Sequence, residues 1–388
     1  MNPVTHKALQ RRAPASSPAP RQTLPGQTVL VLQGGGALGA YQVGVYQAMH
    51  ERGIEPDWVI GTSIGAINAA LIAGNRPEHR LDRLHAFWDQ VEHASPIDGW
   101  AAQMARWWPG LNGNAFTNLS TMTQGIPAFF RPNPMAWRGN QAAVGVEAAS
   151  YHSTAPLRDT LGSLVDFERL AHQETRLTVG AVNVRNGQMR YFDSRDERLR
   201  IEHVMASGAL PPAFGAVRID GEPYWDGGIY SNTPIEAVLD DRPRRDSVIF
   251  AVNVWQAQGE EPESIWQVMG RQKDIQYASR ADSHIARQQQ IHHLRHIIRE
   301  LARQLPPAKR DTAEMKELAS WGCGTTMHVL RLLAPALAGE DQLKDIDFTP
   351  RGIHARWQAG YVDTLKMIDQ QPWTAAVDPM EGVVVHAL

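Results

Sequence analysis

In DWVIGTSIGAINAALIAG (residues 57–74), a brief apolar strand at Asp57–Ile60 runs into the turn Gly61-Thr62-Ser63-Ile64-Gly65. An Ala-rich helical stretch, Ile64–Ala73, follows and is closed by Gly74-Asn75. The same order stands just upstream. TVLVLQ (28–33) is a short β-prone run, GGGALG (34–39) a glycine turn, and Ala37, Tyr41, Val45 and Ala48 then recur at helical spacing. Two strand–turn–helix units in series predict a parallel sheet with helices on its faces, an α/β fold. Further strands are expected at Arg176–Val184, Gln188–Asp193 and Ser247–Val254.

Composition sets the frame. The chain has 388 residues, 43% hydrophobic and 20% charged, with a formal charge of −3. That is ordinary for a globular protein and gives no reason to expect a nucleic-acid partner. A single cysteine, Cys323, excludes an intrachain disulfide and fits a reducing, cytoplasmic setting. Residues 1–26 are rich in Pro, Ser and Arg and read as a disordered leader. Arg11-Arg12 lacks the apolar segment of an export signal. No run approaches the ~18 apolar residues of a spanning helix, so any membrane contact is expected to be peripheral.

Between about 95 and 151 the sequence crowds Trp100, Trp107, Trp108, Phe116, Phe129, Phe130 and Trp137 into a segment with little regular period. This reads as an insertion over the sheet, either a lid lining an acyl channel or ordinary packing. Beyond Val254, Ile291, Leu294, Ile298, Leu301 and Leu305 mark an amphipathic helix. Its pattern runs from Pro262 to Leu305, long enough that a break near Gly270 is expected. Trp321, Trp357 and Trp373 are expected packing anchors.

Three glycine-marked turns carry the chemistry. Gly61 and Gly65 flank Ser63 two residues either side, the spacing that a serine on a sharp strand-to-helix turn requires sterically; a tight junction without chemistry is the competing reading. The GGGALG turn can aim successive N–H groups at an oxyanion or phosphate. It also has the glycine spacing of a dinucleotide fingerprint, with Asp57 near the expected ~20 residues on, but Asp57 opens the strand leading into GTSIG. A phosphate P-loop is excluded because no Lys-Ser or Lys-Thr closes the motif. Third, Asp226-Gly227-Gly228 places a carboxylate in a tight turn, which alone would be a common hairpin signal.

Taken together, GGGALG after the first strand, GTSIG after the second and the downstream run ASGALPPAFGAVRIDGEPYWDGGIYSNTP resemble the patatin-like phospholipase family over about residues 28–255. The resemblance implies a three-layer α/β/α catalytic domain at 27–258 with a mainly parallel sheet. A helical C-terminal extension, 259–388, would pack on it. It implies a lipid acyl hydrolase using a Ser63–Asp226 dyad, with the N–H groups of Gly34, Gly35 and Gly36 as oxyanion hole. Gly39, Gly61, Gly65, Gly227 and Gly228 would support the motifs. No metal or cofactor is implied, and the expected partner is a lipid or other ester, with peripheral contact at a membrane. Where the family often carries Arg or Lys before the last glycine of the first motif, this chain has Leu38, which puts in doubt a cationic role there.

Three alternatives stand beside this. One is a Ser-His-Asp esterase of the α/β-hydrolase type, recruiting His284, His328 or His354. Another is a hydrolase of storage polyesters, and the third is a catalytically silent membrane- or granule-binding scaffold. The stretch Arg271–Arg310 carries nine Lys or Arg against Asp274, Asp282 and Glu300, a solvated face or a surface for anionic lipid. Within it, His292, His293 and His296 have metal-ligand spacing but read as a surface-helix pattern.

Overall fold

The computed structural model of the chain describes residues 22–92, 123–172, 174–337, 340 and 342–388, with 279–281 as backbone. The first half is built from β1 (Gln27–Leu32), α1 (Ala40–Glu51), β2 (Trp58–Gly61), α2 (Ile64–Ala73), α3 (Pro77–Val91) and α4 (Ala155–Leu164). Then come β3 (Arg176–Asn183), β4 (Met189–Asp193), α5 (Ile201–Ser207), β5 (Val217–Ile219), β6 (Glu222–Asp226) and β7 (Ser247–Asn253). The C-terminal part adds α6 (Ile265–Gln304), β8 (Met327–Leu333), α7 (Pro350–Gln370) and β9 (Val383–Ala387). The strands expected at 28–33, 57–60, 176–184, 188–193 and 247–254 appear as β1, β2, β3, β4 and β7, whereas β5, β6, β8 and β9 lie outside the expected set.

One sheet runs in the order β9-β8-β7-β1-β2-β3-β6-β5, with β4 also on β3. From β9 to β3 every pairing is parallel, whereas β4, β5 and β6 pair antiparallel. Side chains alternate faces along each strand. Leu30, Leu32, Val59, Val248 and Phe250 join α1, α2 and α3 in one core cluster. Val29, Val31, Trp58, Ile60, Ile249 and Ala251 join Ile235, Val238 and Ile285 on the other face. Helices therefore cover both faces, giving three layers.

The C-terminal region is helical but also supplies β8 and β9 to this sheet, beyond the division drawn at 258. Its helix α7 lies on α1 at close range. A Cβ on Gly44 would come 1.9 Å from the Trp357 carbonyl oxygen, and one on Gly360 2.0 Å from that of Tyr41. Absent side chains let the two backbones touch, which is why α1 is buried on nearly every face.

Helix α6 corrects an expectation. It runs unbroken through Gly270 for 40 residues, about 60 Å. Its ends need not fit the sheet, because the first turn, with Ile265, Trp266, Val268 and Met269, is exposed. The inward face also differs from the expected seam: Leu294 and Leu301 are exposed, while Ile285, Gln288, His292 and His296 are buried. Of the expected tryptophan anchors, Trp373 is buried, Trp357 stacks on His85, and Trp321 is exposed.

Candidate active site

Ser63 sits between the end of β2 and the start of α2 with φ 56° and ψ −127°, a backbone state that L residues seldom adopt. The glycines on either side make it sterically possible. A Cβ on Gly61 would lie 2.2 Å from the Gly65 carbonyl oxygen, and one on Gly65 2.3 Å from that of Leu32. The Ser63 N–H donates to the carbonyl and to Oγ of Ser207, both at 3.1 Å, which fixes the strained residue from outside its own turn.

Asp226 reaches this point because β3 is shared. One edge of β3 carries β4 from Thr178 to Val182. The opposite edge carries β2 as far as Val179, facing Gly61, and then β6 from Ala181, facing Asp226. Two strands of opposite direction thus end head-on at one gap. Gly180 lies in that gap, and its carbonyl accepts the Ser207 hydroxyl at 2.6 Å. The Asp226 N–H donates to Ala209 (3.0 Å), and its Oδ1 accepts the Gly228 N–H at 2.7 Å.

The Asp226 side chain is only 1% exposed. Burial pushes its carboxyl up to about 7, against hydrogen bonds from the Ser63 side chain and the Gly228 N–H that hold it down. No cation is among the causes. A buried carboxylate that titrates near neutrality and lines the same cavity as a serine hydroxyl can act as that serine's base.

The glycine loop leaves β1 at the point where the sheet order reverses, the usual place for a ligand crevice in open α/β sheets. Gln33 anchors it: its side-chain oxygen accepts the N–H groups of Val254 and Trp255, and its amide donates to Thr233 Oγ1 and the Tyr277 carbonyl. Gly34 is spent structurally. Its N–H donates to the Asn232 carbonyl at 3.1 Å, and its own carbonyl accepts Asn232 Nδ2 and Trp255 Nε1. The expected oxyanion donor set of Gly34, Gly35 and Gly36 is therefore narrowed, because the Gly34 hydrogen already has an acceptor. For the Gly35 and Gly36 N–H groups no acceptor is seen among the described residues. Gly36 has φ +54°, and a Cβ there would meet the Asp345 carbonyl oxygen at 2.1 Å. Gly39 packs on Ile64, and Gly227 on Gly180. Leu38 is a buried core residue.

Ser63, Asp226 and Gly34–Gly36 open into a cavity of about 240 Å³. Its walls are mainly apolar: Ile64, Ile67, Phe129, Phe130, Leu210, Phe214, Ile346 and Phe348. Phe129 and Phe130 bring part of the aromatic insertion to the site, while Trp137 is 89% exposed. Trp100, Trp107, Trp108 and Phe116 lie outside the described residues.

Several expected candidates lie elsewhere. His284 pairs with Glu236, His328 stacks on His386, and His354 belongs to α7; none of the three lines the cavity, which His152 does. Asp57 binds the Thr28 N–H at the other end of β1 from the glycine loop. His292, His293 and His296 are not all on the surface as expected: His292 and His296 are buried, and all three ring systems bond backbone carbonyls. Conversely, Gln33, Ser207, Asn232 and Asp345 hold or line the site without having been singled out. Ser207 and Asn232 fall in the run that carries the third motif, which was the available signal.

A family model described as patatin-like phospholipase matches residues 30–239, and one described as patatin phospholipase matches 275–380. The mouse patatin-like phospholipase domain-containing protein 6 is 38% identical over 91 residues, 23% of this chain and 7% of that protein. A lysophospholipase nte1 from Aspergillus terreus is 61% identical over 44 residues, 11% of this chain and 3% of that one. The chain thus spans under a tenth of the length of these relatives. VipD from Legionella pneumophila superposes over 91% of this chain and 70% of its own, with a TM-score of 0.38 at 16% identity, too distant to carry an argument.

Proposed function

The chain belongs to the patatin-like phospholipase family, and from that premise we propose that it is a lipid acyl hydrolase working through Ser63 and Asp226. Asp226 takes the Ser63 proton as Oγ attacks the ester carbonyl. The Gly35 and Gly36 N–H groups stabilise the oxyanion, each contributing on the order of 3 kcal/mol to the lowered barrier. Asp226 then protonates the departing alcohol, leaving an acyl-enzyme that water hydrolyses. The observation carrying this reading is a fully buried carboxylate and a serine on a strained elbow that line the same apolar cavity.

An apolar cavity suits the acyl chain of a lipid ester. Peripheral contact with a lipid surface is the companion proposal. Among the described residues no helix is long and apolar enough to cross a membrane, but α6 exposes Ile265, Trp266, Val268 and Met269 together.

The test is product profiling of a mixed lipid extract by mass spectrometry, wild type against Ser63→Ala, with fluorophosphonate labelling to locate the nucleophile. Release of fatty acid by the wild type alone, with the probe on Ser63, is expected; identical profiles would refute the proposal.

A further inference from the structure

Tyr277 enters the cavity from α6, outside the stretch 30–239. Its ring packs on Trp255 with centroids 4.9 Å apart, and its carbonyl accepts the Gln33 amide at 3.2 Å. The Trp255 indole in turn holds the Gly34 carbonyl at 2.7 Å. The groups that set the glycine loop therefore also set this ring.

Tyr277 lines the same cavity as Ser63, Asp226 and Asp345, so both carboxylates act on it. Burial and these two carboxylates raise its pKa above the ordinary tyrosine value, so the phenol stays neutral across the working range. Lys273 binds the Asp345 carboxylate at 2.8 and 3.0 Å, and Lys344 binds Asp274 at 2.7 Å. This crossed pair of ion pairs fastens the Lys344–Ile346 segment to α6 beside the tyrosine. For the phenol itself no partner is seen among the described residues, and Tyr277 lines the mostly apolar cavity.

Resting on the Ser63–Asp226 reading, we propose that Tyr277 is a third catalytic side chain, whose phenolic oxygen holds the water that hydrolyses the acyl-enzyme. Water attacking an ester in such a cavity points a lone pair at the carbonyl carbon and one hydrogen at Asp226. Its second hydrogen needs an acceptor, and Tyr277 supplies one. The water oxygen bonds to the carbonyl carbon as its first proton passes to Asp226. The bond from that carbon to Ser63 Oγ then breaks, and Asp226 returns the proton to Oγ. The second hydrogen leaves on the carboxylic acid, so atoms and charge balance without a further reactant.

Tyr277→Phe keeps the ring on Trp255 and removes only the hydroxyl. Wild type and variant are acylated with a p-nitrophenyl ester and diluted, and loss of the acyl mass is followed by intact-protein mass spectrometry after acid quench. The acyl-enzyme should decay about tenfold more slowly in the variant, as expected for losing one hydrogen bond to the attacking water, while the fluorophosphonate labelling rate of Ser63 stays within about twofold. Decay within twofold of wild type would overturn the proposal. So would an equal fall in labelling, since the ring would then shape the cavity rather than serve the water. Failure of the probe to label Ser63 in the wild type instead removes the Ser63–Asp226 reading on which the proposal rests.

Discussion

Asp226 faces Ala181 on the same edge of β3 that Gly61 leaves opposite Val179. That two-residue offset brings a serine and a carboxylate together although they are far apart in sequence. Because β2 and β6 arrive from opposite directions, the meeting is set by backbone pairing rather than by long side chains.

Activity should depend on the ionised form of Asp226. With a carboxyl held near 7 by burial, turnover rises with pH through about 7 and falls below it. Asp226→Asn should lower kcat by ~10²-fold or more and erase this limb. A pH–rate series on a soluble ester, wild type against variant, checks both.

The same carboxylate should cost stability. Its pKa is raised above the ordinary value of 3.8, so its stabilising contribution is complete below about 4 and is lost as pH rises toward 7. A three-unit shift corresponds to at most ~4 kcal/mol. Asp226→Asn should therefore melt higher than wild type at pH 8, with the gap closing toward pH 4, as calorimetry at the two pH values would read.

Ser207→Ala should disturb Ser63 without touching the cavity wall. It removes the hydroxyl that donates to Gly180 and accepts from Ser63, leaving the Gly180 carbonyl without that partner. A loss of about 1–3 kcal/mol is expected in chemical denaturation, with slower fluorophosphonate labelling. Unchanged labelling would show that the elbow holds itself.

Gly61→Ala and Gly65→Ala should each abolish labelling, because the added methyl meets main-chain oxygens 2.2 and 2.3 Å away that cannot step aside. Overpacking of this kind costs about 1–3 kcal/mol or more. By contrast, His284→Ala and His354→Ala should leave turnover on a soluble ester within about threefold of wild type; loss of turnover in either would revive a histidine-dependent triad.

Lipid contact through α6 is tested by Trp266→Glu. The variant should sediment less with phospholipid vesicles and lose activity on them, while a soluble ester is turned over normally, since Trp266 is 60% exposed and does not line the cavity.

Local rules were legible in the sequence. Short apolar strand runs, the glycines around Ser63 and the Asp226 turn are dictated within a few positions, and the five expected strands fall close to their limits. What depends on distant chain was not legible. The Gly34 N–H appears as a free donor until Asn232 closes on it. Unbroken α6 and buried His292 reflect packing against Leu239 and the loop before β9, and no helical period encodes those neighbours. Likewise, β8 and β9 are short apolar runs whose partner strands no local pattern names.

The parallel row formed by β7, β8 and β9 has a practical corollary for anyone trimming the polypeptide. Every residue of β7 is buried, so a fragment stopping near residue 258 would lay bare a continuous apolar border, SVIFAVN, ready to recruit other copies. Such a piece should precipitate on expression. The shortest tractable version reaches to the closing strand, even though most of the chemistry is written in the first 230 residues.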